Sequence, residues 1–295
     1  MVDITGIRGE TLEVDYSITN SGDFGSVEDV ELLIDGNVEY VDQDVMITDS
    51  AAGTLYWQAD SIGTYTATVS IAGVSDQITV QVDLDKPDNT VAHYDASQLS
   101  LNDGDTVSVW PDEQGDNDLD TQTGSPTYVE SGINGNPAIA FNGDGLEGTG
   151  LSVTQPNTTY LVFEYRSGWD GGQVLSGVSE RQITACADSV QKNWRTATPT
   201  GYELEGSNDL GIQQMTVVFD GANSIHREEG VEISVGDVGT NDLGGLSVGY
   251  DAWGYYNGEF RDYADAYVSE IVLVNSGSVD LDFENQLLEK WGITA

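Results

Sequence analysis

Thr11-Leu-Glu-Val-Asp-Tyr-Ser-Ile-Thr19 alternates without a break. Leu12, Val14, Tyr16 and Ile18 fall on one side of an extended chain, and Thr11, Glu13, Asp15, Ser17 and Thr19 on the other. A side-chain period of two is that of a strand with one face in a core and the other in water. Residues 64–71 repeat the pattern, with Tyr65, Ala67, Val69 and Ile71 inward, and Ile78, Val80 and Val82 close the segment. Val30, Leu32 and Ile34 lead into Asp35-Gly36-Asn37, a tight hairpin signal because glycine tolerates positive φ. Roughly seven short strands fit into residues 1–84, enough for a small two-sheet sandwich of Ig-like form.

Asp83-Leu-Asp-Lys-Pro-Asp-Asn89 is polar, carries a proline and reads as a break, with a linker over 85–90 and a second domain over 91–295. Turn signals recur in that second part at Asn134-Gly135, Asn142-Gly143, Asp220-Gly221 and Asn257-Gly258. Tyr160-Leu-Val-Phe163, Met215-Thr-Val-Val-Phe219 and Ile271-Val-Leu-Val274 are continuous apolar runs, as expected of strands buried on both faces. Only the end reads as helix. Leu281, Leu287, Leu288 and Trp291 are expected on one helix face, Lys290 suits the negative end of the dipole, and Gly292 supplies the stop. The expected fold class is all-β, with two sandwiches and a short C-terminal helix.

Fifty-one Asp and Glu stand against nine Lys and Arg, a formal net charge of −42. The excess is spread along the chain, since residues 1–84 already hold 16 acids against one base, Arg8. Only Lys86, Lys192 and Lys290 are lysines. Self-repulsion on this scale opposes a compact fold in dilute buffer. In molar salt the Debye length falls to about 3 Å and most of that repulsion is screened. The composition therefore predicts a protein of a hypersaline environment, the alternative being an ordinary acidic secreted protein loaded with calcium. No basic patch exists to release counterions from nucleic acid, so that partner is excluded. No stretch approaches 18 apolar residues, so membrane insertion by a helix is not expected. The lone Cys186 rules out an intramolecular disulfide and reads as the occupant of a strand position. Met-Val-Asp-Ile-Thr-Gly6 at the start lacks the basic and apolar regions of a signal peptide.

Val14-Asp-Tyr-Ser-Ile-Thr-Asn-Ser-Gly22, Leu33-Ile-Asp-Gly36 and Gly63-Thr-Tyr-Thr-Ala-Thr-Val69 resemble the CARDB-type adhesion modules of bacterial and archaeal surface proteins. Residues 91–293 resemble the LamG-like jelly-roll (concanavalin-type) family more closely. The residues that carry this likeness begin with Ala92-His-Tyr-Asp-Ala-Ser97, Asp105-Thr-Val-Ser-Val-Trp110 and Asn134-Gly-Asn-Pro-Ala-Ile-Ala-Phe-Asn-Gly143. Phe219-Asp-Gly221, Leu246-Ser-Val-Gly249, Val268-Ser-Glu-Ile-Val-Leu-Val274 and the terminal Lys290-Trp-Gly-Ile293 complete it. Two departures touch its loops: Ser224-Ile-His-Arg-Glu-Glu-Gly230 replaces a clean Asn-Gly hairpin, and 252–266 is enlarged. The resemblance implies a jelly roll that binds glycans or proteins.

Glycosidases of related architecture need two carboxylates about 5–5.5 Å apart for retention. Glu203 and Glu205 alternate but no third acid follows in register, and neither His93 nor His226 has a nucleophile elbow, so no catalytic residue is expected. For glycan or partner binding, Trp253, Tyr255, Tyr256 and Asn257 in the enlarged loop, with Trp169 and Asp170, offer aromatic planes beside polar groups. The competing reading of those aromatics is a protein interface or edge packing. Asp112, Asn117 and Asp118 supply hard oxygens in one loop, candidate ligands for a cofactor, calcium, and Asp144 follows Asn-Gly in another.

These features lead to an expected non-enzymatic subunit on the virion surface of a haloarchaeal virus: a turret, decoration or tail-fibre protein with a lectin-like head. Its expected partners are a host-surface glycan or glycoprotein, other virion proteins and further copies of itself in a homo-oligomer. The alternatives are a glycan-binding module of a secreted or cell-surface haloarchaeal protein, and an unrecognised glycan-active enzyme.

Overall fold

A computed structural model describes residues 4–19, 26–166, 172–180, 182–187, 194–198, 203–252 and 263–294. The chain divides into two compact units, Met1–Asp85 and Lys86–Ala295, each with its own core.

The first unit holds seven strands: β1 (Ile4–Ile7), β2 (Thr11–Thr19), β3 (Ser26–Ile34), β4 (Asn37–Ile47), β5 (Ser50–Gln58), β6 (Gly63–Ile71) and β7 (Val74–Asp83). Five form one sheet in the order β1-β7-β6-β3-β4, and β2 pairs with β5 in a second, two-stranded sheet. In β2 the polar residues are exposed and Leu12, Val14 and Tyr16 are buried, as the alternation requires. These three pack on Val30, Leu32, Ala67, Val80 and Val82 of the larger sheet. The β3–β4 hairpin turns at Asp35 (φ 47°) and Gly36 (φ 84°), two consecutive left-handed residues whose twist matches that of the flanking strands.

The second unit is a sandwich of two larger sheets. One contains β10 (Thr127–Ile133), β11 (Asn136–Asn142), β22 (Asp265–Val274), β13 (Asn157–Tyr165), β18 (Ile212–Phe219), β19 (Ser224–Glu228) and β20 (Val231–Gly236) in that order. β8 (Thr90–Asp95) pairs with the second half of β22, beside the stretch that β11 pairs. The other sheet runs β17 (Leu204–Glu205), β16 (Trp194–Ala197), β15 (Ile183–Ala187), β14 (Gln173–Ser176), β21 (Leu243–Val248), β12 (Gly145–Val153), β9 (Thr121–Thr123). Phe141, Leu161, Phe163, Met215, Val217, Ile271 and Leu273 meet Leu146, Leu175, Leu246 and Val248 between the sheets.

The three continuous apolar runs lie in β13, β18 and β22, neighbours at the middle of the eight-stranded sheet. Their second face is covered because the helix α1 (Leu281–Lys290) lies on it, with Phe283 edge-on to Tyr160 at 5.0 Å. Asp280 caps α1 by accepting from the Phe283 N–H at 3.0 Å, and the Tyr160 hydroxyl accepts from the Asp280 N–H. The helix face differs from the expected one at its start. Leu281 is exposed, while Phe283, Glu284, Leu287, Leu288 and Trp291 are buried. Glu284 takes an inward position because Arg227 of β19 reaches it with two nitrogens, Nη2 to Oε2 at 2.8 Å and Nε to Oε1 at 3.1 Å.

Ser224-Ile-His-Arg-Glu228, which departs from the LamG-like pattern, is strand β19, and its hairpin turns at Glu229 (φ 50°) and Gly230 (φ 79°). A Glu-Gly pair performs the turn that Asn-Gly was expected to perform, glycine again providing the second left-handed position.

Candidate binding face

The face of the seven-stranded sheet that points away from the core is polar. Leu146 and Leu246 enter the core, so their neighbours Glu147 and Ser247, which pair across β12 and β21, point outward. Ser176 of β14 pairs with Ser247 and continues the row. Asp251 and Gln173 join it through hydrogen bonds: Ser176 Oγ donates to Asp251 Oδ1 and Gln173 Nε2 to Asp251 Oδ2, both at 3.3 Å. Ser247 Oγ donates to the carbonyls of Tyr250 and Ser176, and the Tyr250 hydroxyl donates to Glu147 Oε2.

All six residues are nearly inaccessible; Glu147, Asp251 and Tyr250 are each 2% exposed. The Tyr250 ring explains the enclosure. It stacks on Tyr263 at 5.7 Å and fits over Gly145, where a Cβ would stand 2.1 Å from the ring. Tyr250 and Tyr263 form an antiparallel bridge, and Gln173 bridges Tyr263, which fixes both tyrosines beside this row. Gln173 Oε1 is buried here without a hydrogen-bond partner, as are Gln182 Oε1 and Thr184 Oγ1 nearby on β15 and the residue before it. A buried acceptor left open costs about 1–3 kcal/mol; Gln173 Oε1 lies beside the row, whereas Thr184 pairs with the core residue Leu175 and faces between the sheets.

The residues nominated from sequence for glycan or partner binding, Trp169, Asp170, Trp253, Tyr255, Tyr256 and Asn257, lie outside the described residues. Tyr250-Asp251, at the start of the same aromatic stretch, belong to the row; Glu147, Gln173, Ser176 and Ser247 were not legible, because isolated polar residues in strands carry no periodic signal.

Asp112, Asn117 and Asp118 do come together. Asp112 Oδ1 accepts from the N–H groups of His93 and Gln114 at 2.9 Å, Oδ2 accepts from Asn117 Nδ2 at 3.2 Å, and Asp118 Oδ1 accepts from the Asp112 N–H at 2.9 Å. Calcium takes six to eight oxygens with their lone pairs open. Here both Asp112 oxygens and Asp118 Oδ1 accept from N–H donors, a geometry that clamps the loop to β8.

Two buried clusters centre on the histidines, which sequence left isolated. His93 Nε2 lies 2.7 Å from Glu270 Oε1, and the Lys290 ammonium bridges Asp95 Oδ2 at 2.7 Å and Glu270 Oε2 at 2.9 Å. The Trp291 indole N–H also donates to Glu270 Oε2. The ligand atoms of His93, Asp95 and Glu270 stand within 4.8 Å of one another, close enough for a metal, but the ammonium of Lys290 holds the cation's place. Burial pushes the Glu270 carboxyl up; Lys290 and His93 outweigh that and hold it down at about 2. In the second cluster Thr196 Oγ1 and Glu228 Oε1 each lie 2.8 Å from a ring nitrogen of His226. Thr196 and His226 are wholly buried, and this hydroxyl–imidazole–carboxylate chain joins β16 of one sheet to β19 of the other. The signal was in the sequence: His226 and Glu228 are two apart in a strand, hence on one face.

The fold and this face define the second unit as a two-sheet, jelly-roll-type β-sandwich with a recessed polar row. No protein-family model and no curated protein matches the chain. Among solved structures it is similar to domain 4 of AbnA, a GH43 extracellular arabinanase from Geobacillus stearothermophilus, in complex with arabinotriose. That match has 14% identity, covers 68% of this chain and 98% of the domain, and has a TM-score of 0.48. Trypanosoma rangeli sialidase in complex with sialic acid is 11% identical at a TM-score of 0.46, with 95% of this chain and 53% of the sialidase covered. The chain thus spans about half the length of that enzyme. Bacteroides ovatus SGBP-B, of a mixed-linkage glucan utilization locus, in complex with a heptasaccharide, gives 10% identity and a TM-score of 0.17 over 92% of this chain and 95% of that one. At these scores the likenesses add nothing to the all-β architecture.

Proposed function

We propose that the second unit is a non-catalytic recognition module that takes a polyhydroxylated ligand, a glycan, at the polar row of its seven-stranded sheet when the Tyr250 ring moves off it. The observation that carries the reading is Gln173 Oε1: a buried carboxamide oxygen with no partner, within a set of carboxylate, carboxamide and hydroxyl groups and under stacked tyrosines. Sugar hydroxyls donate to such acceptors, and sugar C–H faces pack on aromatic rings. The carboxylates of Glu147 and Asp251 accept hydrogen bonds from Tyr250, Ser176 and Gln173 and so fix the geometry of the row.

The test is Gln173→Leu, which keeps the volume and removes the carboxamide. Retention of the full chain in affinity gels containing host-surface polysaccharide should fall about tenfold, equivalent to the loss of one good hydrogen bond. Retention equal to that of the unaltered chain would move the ligand elsewhere.

The place of action that the charge supports is brine, on the surface of a haloarchaeal virus particle or of a secreted haloarchaeal protein. At −42 the chain is expected to lose its cooperative melting transition on dialysis to about 50 mM salt and to recover it in molar salt, as screening shortens the Debye length to about 3 Å. A melting curve that is the same at both concentrations would count against a halophilic design. Detection of the chain in purified virions, or its absence there, decides between the two locations.

A further inference from the structure

The two sheets of the first unit are unequal: five strands face two, and among the described residues β2 has a strand neighbour, β5, on one edge only. Beside the other edge lies a cleft of about 800 Å³, floored by β1, β6 and β7 where the two-stranded sheet does not reach. Val14, Tyr16, Ile18, Val69, Ile71 and Ile78 line it, and Val74 at its mouth is 70% exposed. A nine-residue edge with unpaired backbone groups beside core side chains is a template for another strand. On the outer face of β2, Glu13 and Asp15 are exposed, and Asp76 of β7 stands at the rim.

We propose that the β2 edge accepts one extended segment of a partner chain, in which apolar residues alternate with Lys or Arg. The incoming strand would complete a three-stranded sheet and close the cleft, the mode of recognition in which backbone bonds give affinity and alternate side chains give specificity. Cross-strand geometry dictates the alternation. Residues beside Val14 and Tyr16 enter the apolar cleft, while those beside Glu13 and Asp15 face the carboxylates at about 4.5–5.5 Å between Cβ atoms, where opposite charge stabilises and like charge does the reverse. A second copy of this chain is the disfavoured occupant, because it brings the same acidic edge and a further charge of −42.

The experiment uses the full chain in about 0.5 M salt and two nine-residue peptides, Val alternating with Lys and Val alternating with Glu. Hydrogen exchange should show new protection within residues 11–19 when the Lys peptide is added. Its affinity should exceed that of the Glu peptide at least about fivefold, the preference reversing in the double variant Glu13→Lys, Asp15→Lys. N-methylation of alternate backbone nitrogens on the edge that faces β2 should abolish binding to the unaltered chain, a check independent of the variant's folding. Equal affinity for both peptides, failure of the Lys peptide to bind, protection elsewhere than β2, or dimerisation of the chain through β2 would each overturn the proposal.

Discussion

Lys290→Met is expected to destabilise the second unit by about 3–5 kcal/mol, the cost of removing one partner from a buried ion pair. Methionine fills the space of the lysine stem but leaves Asp95 and Glu270, 3% and 1% exposed, without their cation. His93 and the Trp291 N–H remain beside Glu270 and keep the loss from being larger. For a unit of this size the midpoint of thermal unfolding should fall by roughly 6–20 °C. The pH dependence has a fixed sign. The Glu270 carboxyl is held at about 2 in the folded chain, below its ordinary 4.5, so its contribution is present above pH 4.5 and is lost as pH falls toward 2. Lys290 is raised above 10.5, with burial opposing and Glu270 and Asp95 prevailing, so its contribution persists through neutral pH and fades only in strong alkali. In Lys290→Met the acid-side slope between pH 4.5 and 2 should shrink. A midpoint within 2 °C of the unaltered chain (about 1 kcal/mol or less) would show that the network carries little stability.

His226→Ala is the second large effect, also about 3–5 kcal/mol. It opens a cavity between the sheets and strips the imidazole from Glu228, which is 5% exposed, leaving it the Ser207 N–H at 3.0 Å. Burial alone would raise the Glu228 carboxyl; hydrogen bonds from His226 and Ser207 bring it below 4.5, so this contribution too is present above that pH and is lost in acid. His226→Gln keeps a donor in the space and should cost about 1–2 kcal/mol. If Ala and Gln variants unfold at the same denaturant concentration, the inter-sheet hydrogen bonds are not what holds β16 to β19.

Local pattern carried far in this chain. The Asp35-Gly36 and Asn134-Gly135 hairpins, the apolar centres of β13, β18 and β22, and the position of the last helix were legible because each depends on residues within about ten positions. Leu281 was misread because helical periodicity shows which residues share a face, while the inward place of Glu284 follows from Arg227, 57 positions away. The binding row had no local signature: Glu147, Gln173, Ser247 and Asp251 come from different strands and connections and meet only through the register of β12, β21 and β14.

By itself the sequence determined the strand-dominated architecture, the C-terminal helix and the charge of −42, since period, turn chemistry and composition are properties of neighbours and sums. Tertiary structure alone decided which polar groups became buried partners. Whether His93 meets Glu270, or an open edge of β2 is left beside an apolar cleft, depends on contacts across tens to hundreds of residues that no local pattern encodes.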